Sequence, residues 1–303
     1  MLSPDVSRRR DELRAQFLNA QPFPHVVIDG FAPDDFCERL MTEFPAFDAG
    51  RARNEMGKVG RKAVFTNLPQ LGPAYAQFDE MMRSPEFLEW TSRVTGIPQL
   101  LYDPEYIGGG AHLNLDGQEL DPHVDFNYHP ARRWHRRLNL ILFLNPKWDE
   151  SWGGALQLHR DPHLPESEDQ VRTVAPLANR CVIFETSERS WHGFKRIQLP
   201  TECSDLVRRS IAVYFYTRDR PREETAPDHG TFYVPRPLPE RLQSGYTLTD
   251  EDVEEIHDLI IRRDSQIDFL YKREMEFTRI ARSTSFRLAR MLTWPLRLLF
   301  RRK

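Results

Sequence analysis

Four short apolar runs in the middle of the chain limit its fold more than any other feature. They are Arg137-Leu138-Asn139-Leu140-Ile141-Leu142-Phe143-Leu144-Asn145, Ala155-Leu156-Gln157-Leu158, Cys181-Val182-Ile183-Phe184, and Arg208-Arg209-Ser210-Ile211-Ala212-Val213-Tyr214-Phe215-Tyr216-Thr217. They are short, and turn signals separate them. One such signal is Trp152-Gly153-Gly154, where glycine tolerates positive φ. Short strands with turns between them predict a β-sandwich or barrel.

Just before these runs stands Asp121-Pro122-His123-Val124-Asp125-Phe126-Asn127. In a strand, residues i and i+2 point to the same side, about 6.5–7 Å apart along the chain. The side chains of His123 and Asp125 can then converge on one ion. His192 follows the third run closely and can complete the set from another strand. Two imidazoles and one carboxylate are the donor set that holds Fe(II) with positions left open. A second pair, His159-Arg160-Asp161, falls at the end of the Leu156–Leu158 strand and is predicted to have no metal role.

The order of these parts resembles the 2-oxoglutarate/Fe(II)-dependent oxygenases, in particular the prolyl-4-hydroxylase-like branch. The resemblance rests on His123 with Asp125, the Arg137-to-Asn145 strand, the Gly153-Gly154 turn with its Leu-x-Leu, Ser190-Trp191-His192-Gly193, and Arg208-x-Ser210. Together with the opening Pro22-Phe23-Pro24-His25-Val26-Val27-Ile28-Asp29-Gly30-Phe31, it covers roughly residues 21 to 236. It implies an α+β chain with a double-stranded β-helix, or jelly-roll, core of about residues 100–220 braced by N-terminal helices. It also implies an enzyme, a dioxygenase in which His123, Asp125 and His192 bind Fe(II) and are the catalytic centre. 2-Oxoglutarate would take two of the open iron positions and O2 the third, with ascorbate as a reductant. The intact Asp125 argues against the halogenase variant, in which that carboxylate is replaced.

The far carboxylate of 2-oxoglutarate needs a cation, and arginine offers a planar fork of donors. Arg208 and Ser210 share one face of their strand, with the small Ala212 beyond. Arg209, Ile211, Val213 and Phe215 lie on the other, more apolar face. Arg208 is therefore preferred over Arg209, although a slip of one residue would exchange the faces. Phe143-Leu144-Asn145 stands where many relatives have Tyr-Leu-Asn, so another donor must replace the tyrosine hydroxyl; Asn139 is the candidate. The basic pairs Arg132-Arg133 and Arg136-Arg137 read as a solvated stretch, or as a contact for an anionic substrate. Gly108-Gly109-Gly110 reads as a simple loop, or else as a flexible approach to the metal strand.

Helices are predicted from Pro33, placed as a first helical residue, to Phe44, and over 71–82 and 84–94. Residues 1–245 are predicted to form the oxygenase domain and 246–303 a helical extension. Its first helix opens at Thr249-Asp250-Glu251-Asp252. From Phe277 to Lys303 the chain has no acidic residue, and arginines alternate with large apolar side chains. Such a basic amphipathic segment suits the surface of an anionic membrane through 279–303, or packing on its own domain or in a homo-oligomer. Ser283-Thr284-Ser285-Phe286-Arg287-Leu288 with Pro295-Leu296-Arg297 also resembles a segment of bacterial cell-envelope glycosyltransferases. That resemblance points to a sugar or glycolipid substrate. Hydroxylation of a peptidyl residue is the alternative implied by the oxygenase branch. A non-catalytic iron- or 2-oxoglutarate-binding scaffold at the membrane is an alternative of another class.

The formal net charge of −3 leaves no broad footprint for nucleic acid. Three cysteines without paired spacing predict neither a disulfide framework nor a zinc site. Residues 1–13 lack the apolar core of a secretory signal, and no apolar run approaches the ~20 residues that span a bilayer. A cytoplasmic location follows, with a peripheral position at the inner face of the membrane through the extension.

Overall fold

The computed structural model describes residues 2–52, 62–235, 238, 239 and 241–300, with backbone only at 262, 265, 269 and 294–300. Contacts divide the chain into two compact units, Met1–Arg53 with Val59–Val234, and Asn54–Lys58 with Pro235–Lys303.

The first unit begins with α1 (Pro4–Arg8), α2 (Arg10–Asn19), β1 (His25–Asp29), α3 (Asp34–Thr42), β2 (Lys62–Phe65), α4 (Pro73–Arg83) and α5 (Pro85–Thr95). There follow β3 (Leu101–Tyr102), β4 (Gly110–Asn114), β5 (Leu120–Val124), β6 (His135–Phe143), β7 (Leu156–His159), β8 (Val171–Val174), β9 (Arg180–Glu185), β10 (Trp191–Phe194), β11 (Arg208–Thr217) and β12 (Phe232–Tyr233). Among the described residues the larger sheet runs β1-β9-β6-β11-β4-β2, with β3 against β11. The smaller runs β12-β5-β10-β7-β8. All the pairings are antiparallel. This is the expected double-stranded β-helix with its bracing helices.

Alternation explains the layering. Leu138, Leu140 and Leu142 of β6, with Ile211, Val213 and Phe215 of β11, join the core under the helices, among Phe17, Leu40, Phe78 and Phe87. Phe143, Val182 and Phe184 face the other way, onto Leu156 and Leu158 of the smaller sheet. The helices start where their caps dictate. Ser84 accepts from the Phe87 amide ahead of α5, and Gly96 closes that helix in the left-handed conformation. Pro33 sits one position earlier than expected: it is the residue before α3, which begins at Asp34.

Two expectations fail. Gly108-Gly109-Gly110 is not a loose approach. Gly110 already begins β4, and a Cβ there would strike the Phe65 carbonyl; one on Gly109 would lie 2.7 Å from the Ala212 oxygen. The glycines are needed because neighbouring backbone comes that close. Arg136 and Arg137 are not a solvated pair either: they are 1% and 6% exposed. The β6–β11 register explains why. Phe215 faces Leu138 but Tyr216 faces Arg136, so Arg137 is an extra residue in β6. This bulge reverses the alternation and turns Arg136 onto the inner face beside Asn139.

In the second unit α6 (Asp250–Arg282) begins with the expected cap: Thr249 and Asp252 exchange side-chain-to-backbone hydrogen bonds. α7 (Thr284–Phe300) follows. Leu288, Met291 and Leu292 of α7 are 55%, 68% and 79% exposed. Arg301, Arg302 and Lys303 lie outside the described residues, as do the side chains of Trp294, Leu296, Arg297, Leu299 and Phe300. No helix among the described residues is long and apolar enough to cross a membrane.

Gly193 of β10, next to His192, lies against the backbone of β5. A Cβ there would collide with the Leu120 carbonyl and lie 3.0 Å from Asp121 C and Pro122 N. Gly193→Ala is expected to cost about 1–3 kcal/mol, the range of overpacking in a packed interior. Urea denaturation of wild type and variant measures it.

Candidate metal centre

β5 and β10 pair so that His123 stands directly opposite His192. Between that pair and Phe194–Leu120 the register slips at Asp121-Pro122, where proline has no amide to give the ladder. Both imidazoles are 5% exposed, with ring centroids 4.2 Å apart. His192 also packs on Phe184, and Tyr233 of β12 lies against His123 at 5.1 Å.

Backbone carbonyls decide which ring nitrogens are free. His123 Nδ1 lies 2.9 Å from the Asp121 oxygen, and His192 Nδ1 lies 2.9 Å from the Ser190 oxygen. A carbonyl only accepts, so each Nδ1 carries the proton and each Nε2 presents its lone pair. Those Nε2 atoms face Asp125: His123 Nε2 is 3.7 Å from Oδ1 and His192 Nε2 is 3.4 Å from Oδ2. All three donor atoms fall within 4.8 Å of one another. Ligands at right angles on bonds of ~2.1 Å would lie about 3 Å apart, so a small contraction gives a facial set.

Asp125 is anchored from behind. Its Oδ2 accepts from Arg136 Nη2 at 2.9 Å and from Asn139 Nδ2 at 2.9 Å. Arg136 also donates from Nε and Nη2 to Asn139 Oδ1, at 3.0 and 2.8 Å, which closes a triangle. Burial opposes ionisation of Asp125, but the Arg136 guanidinium and then His192 and His123 outweigh it and hold the carboxyl well below its usual range. Asn139, expected to donate to the cosubstrate, has its amide on Asp125. Arg136 was missed as a site residue because the bulge that turns it inward has no local sequence signal.

Arg208 sits deeper on the same inner face of β11, 4% exposed. Its Nε donates to the Gly154 carbonyl at 2.6 Å, and its carbon lies 4.4 Å from the centroid of Phe194 and 5.1 Å from that of Phe143. Phe194 is two residues beyond His192, so cation and imidazoles are on one side of the fold. Gly154 has φ +69°, and a Cβ would meet Arg208 Cδ at 3.3 Å. No carboxylate among the described residues pairs with Arg208, and burial alone pushes its pKa down to about 9. Beside it, Asn114 gives Oδ1 to the guanidinium at 3.4 Å, and its Nδ2 is buried without a partner. A buried cation and an orphaned donor fit the carboxylate of a bound anion. Ser210 is buried on the same face and pairs with His112. Arg209 points to the helical side, over Phe44.

Asp103, Glu105 and His129 also cluster. There, however, His129 Nδ1 accepts from the Ala131 and Arg132 amides, so its other nitrogen carries the proton and faces Asp103 Oδ1 at 3.3 Å. No lone pair is left for a metal. His159 likewise pairs with Asp169 at the end of β7.

Burial, and then the neighbouring His192, push His123 down to about 3. In metal-free protein it is therefore expected to stay neutral, with the proton on Nδ1, from pH 5 to 8; imidazole nitrogen NMR shifts read this. Below pH 6.5 the unfolded chain binds a proton that the folded one refuses. This group's contribution to stability is therefore lost as pH falls from 6.5 toward 3.

Residues 109–216 match the model of the 2OG-Fe(II) oxygenase superfamily. The chain is 29% identical over 212 residues to a prolyl 3-hydroxylase of Mus musculus, which covers 66% of this chain and 34% of that protein. It is 24% identical over 224 residues to a prolyl 3-hydroxylase of Xenopus laevis, covering 70% and 38%. It thus spans little more than a third of the length of these curated relatives. A prolyl 4-hydroxylase structure from Phytophthora capsici superposes with a TM-score of 0.50 at 17% identity, over 93% of this chain and 90% of that one. The family uses Fe(II), 2-oxoglutarate and O2, and the donor set described above suits them. The chain carries a 2OG-Fe(II) oxygenase domain, the module of 2-oxoglutarate-dependent dioxygenases.

Proposed function

We propose that this domain hydroxylates a C–H bond: substrate, 2-oxoglutarate and O2 give the alcohol, succinate and CO2. His123, Asp125 and His192 would hold Fe(II), which when bound activates O2. The rest is done by the protein. The carbonyls of Asp121 and Ser190 keep both imidazoles aimed through Nε2, and Arg136 with Asn139 holds the carboxylate. Arg208 would receive the far carboxylate of 2-oxoglutarate, with Ser210 and Asn114 as further donors. The observation that carries this reading is the buried, carboxylate-free Arg208 on the side of the fold that holds the His-Asp-His set. A scaffold has no need of open iron positions.

For the substrate, the two relatives support a peptidyl proline, since both are prolyl 3-hydroxylases by name. The glycosyltransferase-like segment at 283–297 supports an envelope sugar or glycolipid. At the metal centre Tyr233 lies against His123, whereas Trp191, Phe232 and His163 cluster on the opposite face of the smaller sheet. The Tyr233 ring can pack on the C–H groups of a pyrrolidine or of a pyranose. The exposed apolar residues of α7, with Arg287 and Arg290 between them, support contact with an anionic membrane through 279–303, and so a peripheral location at its inner, cytoplasmic face.

Purified protein is expected to release succinate only with both Fe(II) and 2-oxoglutarate, and His123→Ala to lose at least about a hundredfold in that turnover. A scaffold would release none. Arg208→Met is expected to raise the KM for 2-oxoglutarate about 10- to 150-fold, the worth of hydrogen bonds to a charged group. Arg209→Met should leave it within about twofold. A product heavier by one oxygen, on a prolyl peptide or on a glycan, chooses between the substrates by mass spectrometry.

A further inference from the structure

Resting on that reading of the metal centre, we infer that Arg136 and Asn139 are positioning residues that confine Asp125 to one metal bond through Oδ1. A carboxylate oxygen offers two in-plane lone pairs. Those of Oδ2 are taken by Arg136 Nη2 and Asn139 Nδ2, each at 2.9 Å. Oδ2 also lies 3.4 Å from His192 Nε2, but with its lone pairs engaged an ion between the imidazoles finds free ones on Oδ1. If both oxygens chelated, Asp125 would occupy two positions, and the three left open by a facial set would become two. The two ketoacid oxygens would then fill both, with none left for O2.

The lock is built to stay. Arg136 is 1% exposed and lies between two rings, with its guanidinium carbon 3.5 Å from the Tyr214 centroid and 4.5 Å from that of Phe126. The Tyr214 hydroxyl donates to the Gly108 carbonyl at 2.8 Å. Gly108, at φ +77°, leaves room for both rings, for a Cβ there would lie 3.3 Å from each. The bulge at Arg137 places Arg136 on this face. Asn139, accepting from Arg136 and donating to Asp125, cannot turn its amide over without losing both contacts.

Asn139→Leu removes one restraint at nearly constant volume. Arg136→Lys keeps the charge and loses the fork. Both are compared with wild type as anaerobic Fe(II) complexes, after thermal unfolding shows that they fold. The readouts are the crystal structure at the metal, Fe(II) affinity, and 2-oxoglutarate affinity by titration. In at least one variant, both Asp125 oxygens are expected to bind Fe(II). Fe(II) affinity should stay within about threefold of wild type, while 2-oxoglutarate binding weakens about tenfold or more, the low end for loss of a ligand-orienting partner. A single-oxygen carboxylate with unchanged 2-oxoglutarate affinity in both variants overturns the inference. So does a tenfold loss of Fe(II) affinity in both, since the pair would then merely hold the ligand in place. Wild type that binds neither Fe(II) nor 2-oxoglutarate instead refutes the reading of the centre itself.

Discussion

The antiparallel pairing of β5 with β10 is the contact on which the centre depends. It sets two histidines, 69 positions apart in the sequence, directly across from one another. It also leaves the carbonyls of Asp121 and Ser190 free of that ladder step and pointing at the ring nitrogens. Ring orientation and tautomer are thus fixed by main chain, which no rotamer change can undo. The rest is arranged around this pair. Phe184 of the opposite sheet supports one ring, Tyr233 covers the other, and Gly193 lets the strands come close enough to meet.

The inner face holds two buried guanidinium groups with opposite accounts of their charge. Arg136 has a carboxylate and an amide oxygen, and is a finished ion pair. Arg208 has only carbonyl and amide oxygens and two aromatic rings. Leaving a buried cation without a counterion destabilises the fold by several kcal/mol unless something negative arrives. This is the observation behind the proposed role of Arg208 toward an anionic ligand. One guanidinium thus has its carboxylate within the fold, and the other has none among the described residues.

Much of this was legible in the residues. The apolar runs gave the strands, and the period of two assigned Arg208 and Ser210 to the inner face and Arg209 to the helical side. The i, i+2 spacing of His123 and Asp125 foretold that their side chains come together. What stayed hidden was nonlocal. The bulge at Arg137 exists only in relation to β11, so Arg136 read as surface charge. The glycines at 108–110 read as slack because the backbone they accommodate, at Phe65 and Ala212, is distant in the sequence. The role of Asn139 followed from the same bulge: with Arg136 outside, its amide had no evident task but the cosubstrate.

β12 has a consequence of its own. It is a two-residue strand supplied by chain that has already left the jelly roll, and it caps the outer border of β5 at His123 and Val124. Proteolysis or an early stop before Phe232 would leave His123, Asp125 and His192 in the chain. Yet it would strip Tyr233 from the imidazole and bare a row of main-chain donors and acceptors, a template for strand exchange with other molecules. The length of polypeptide required for an orderly centre is thus set by its cover rather than by its ligands.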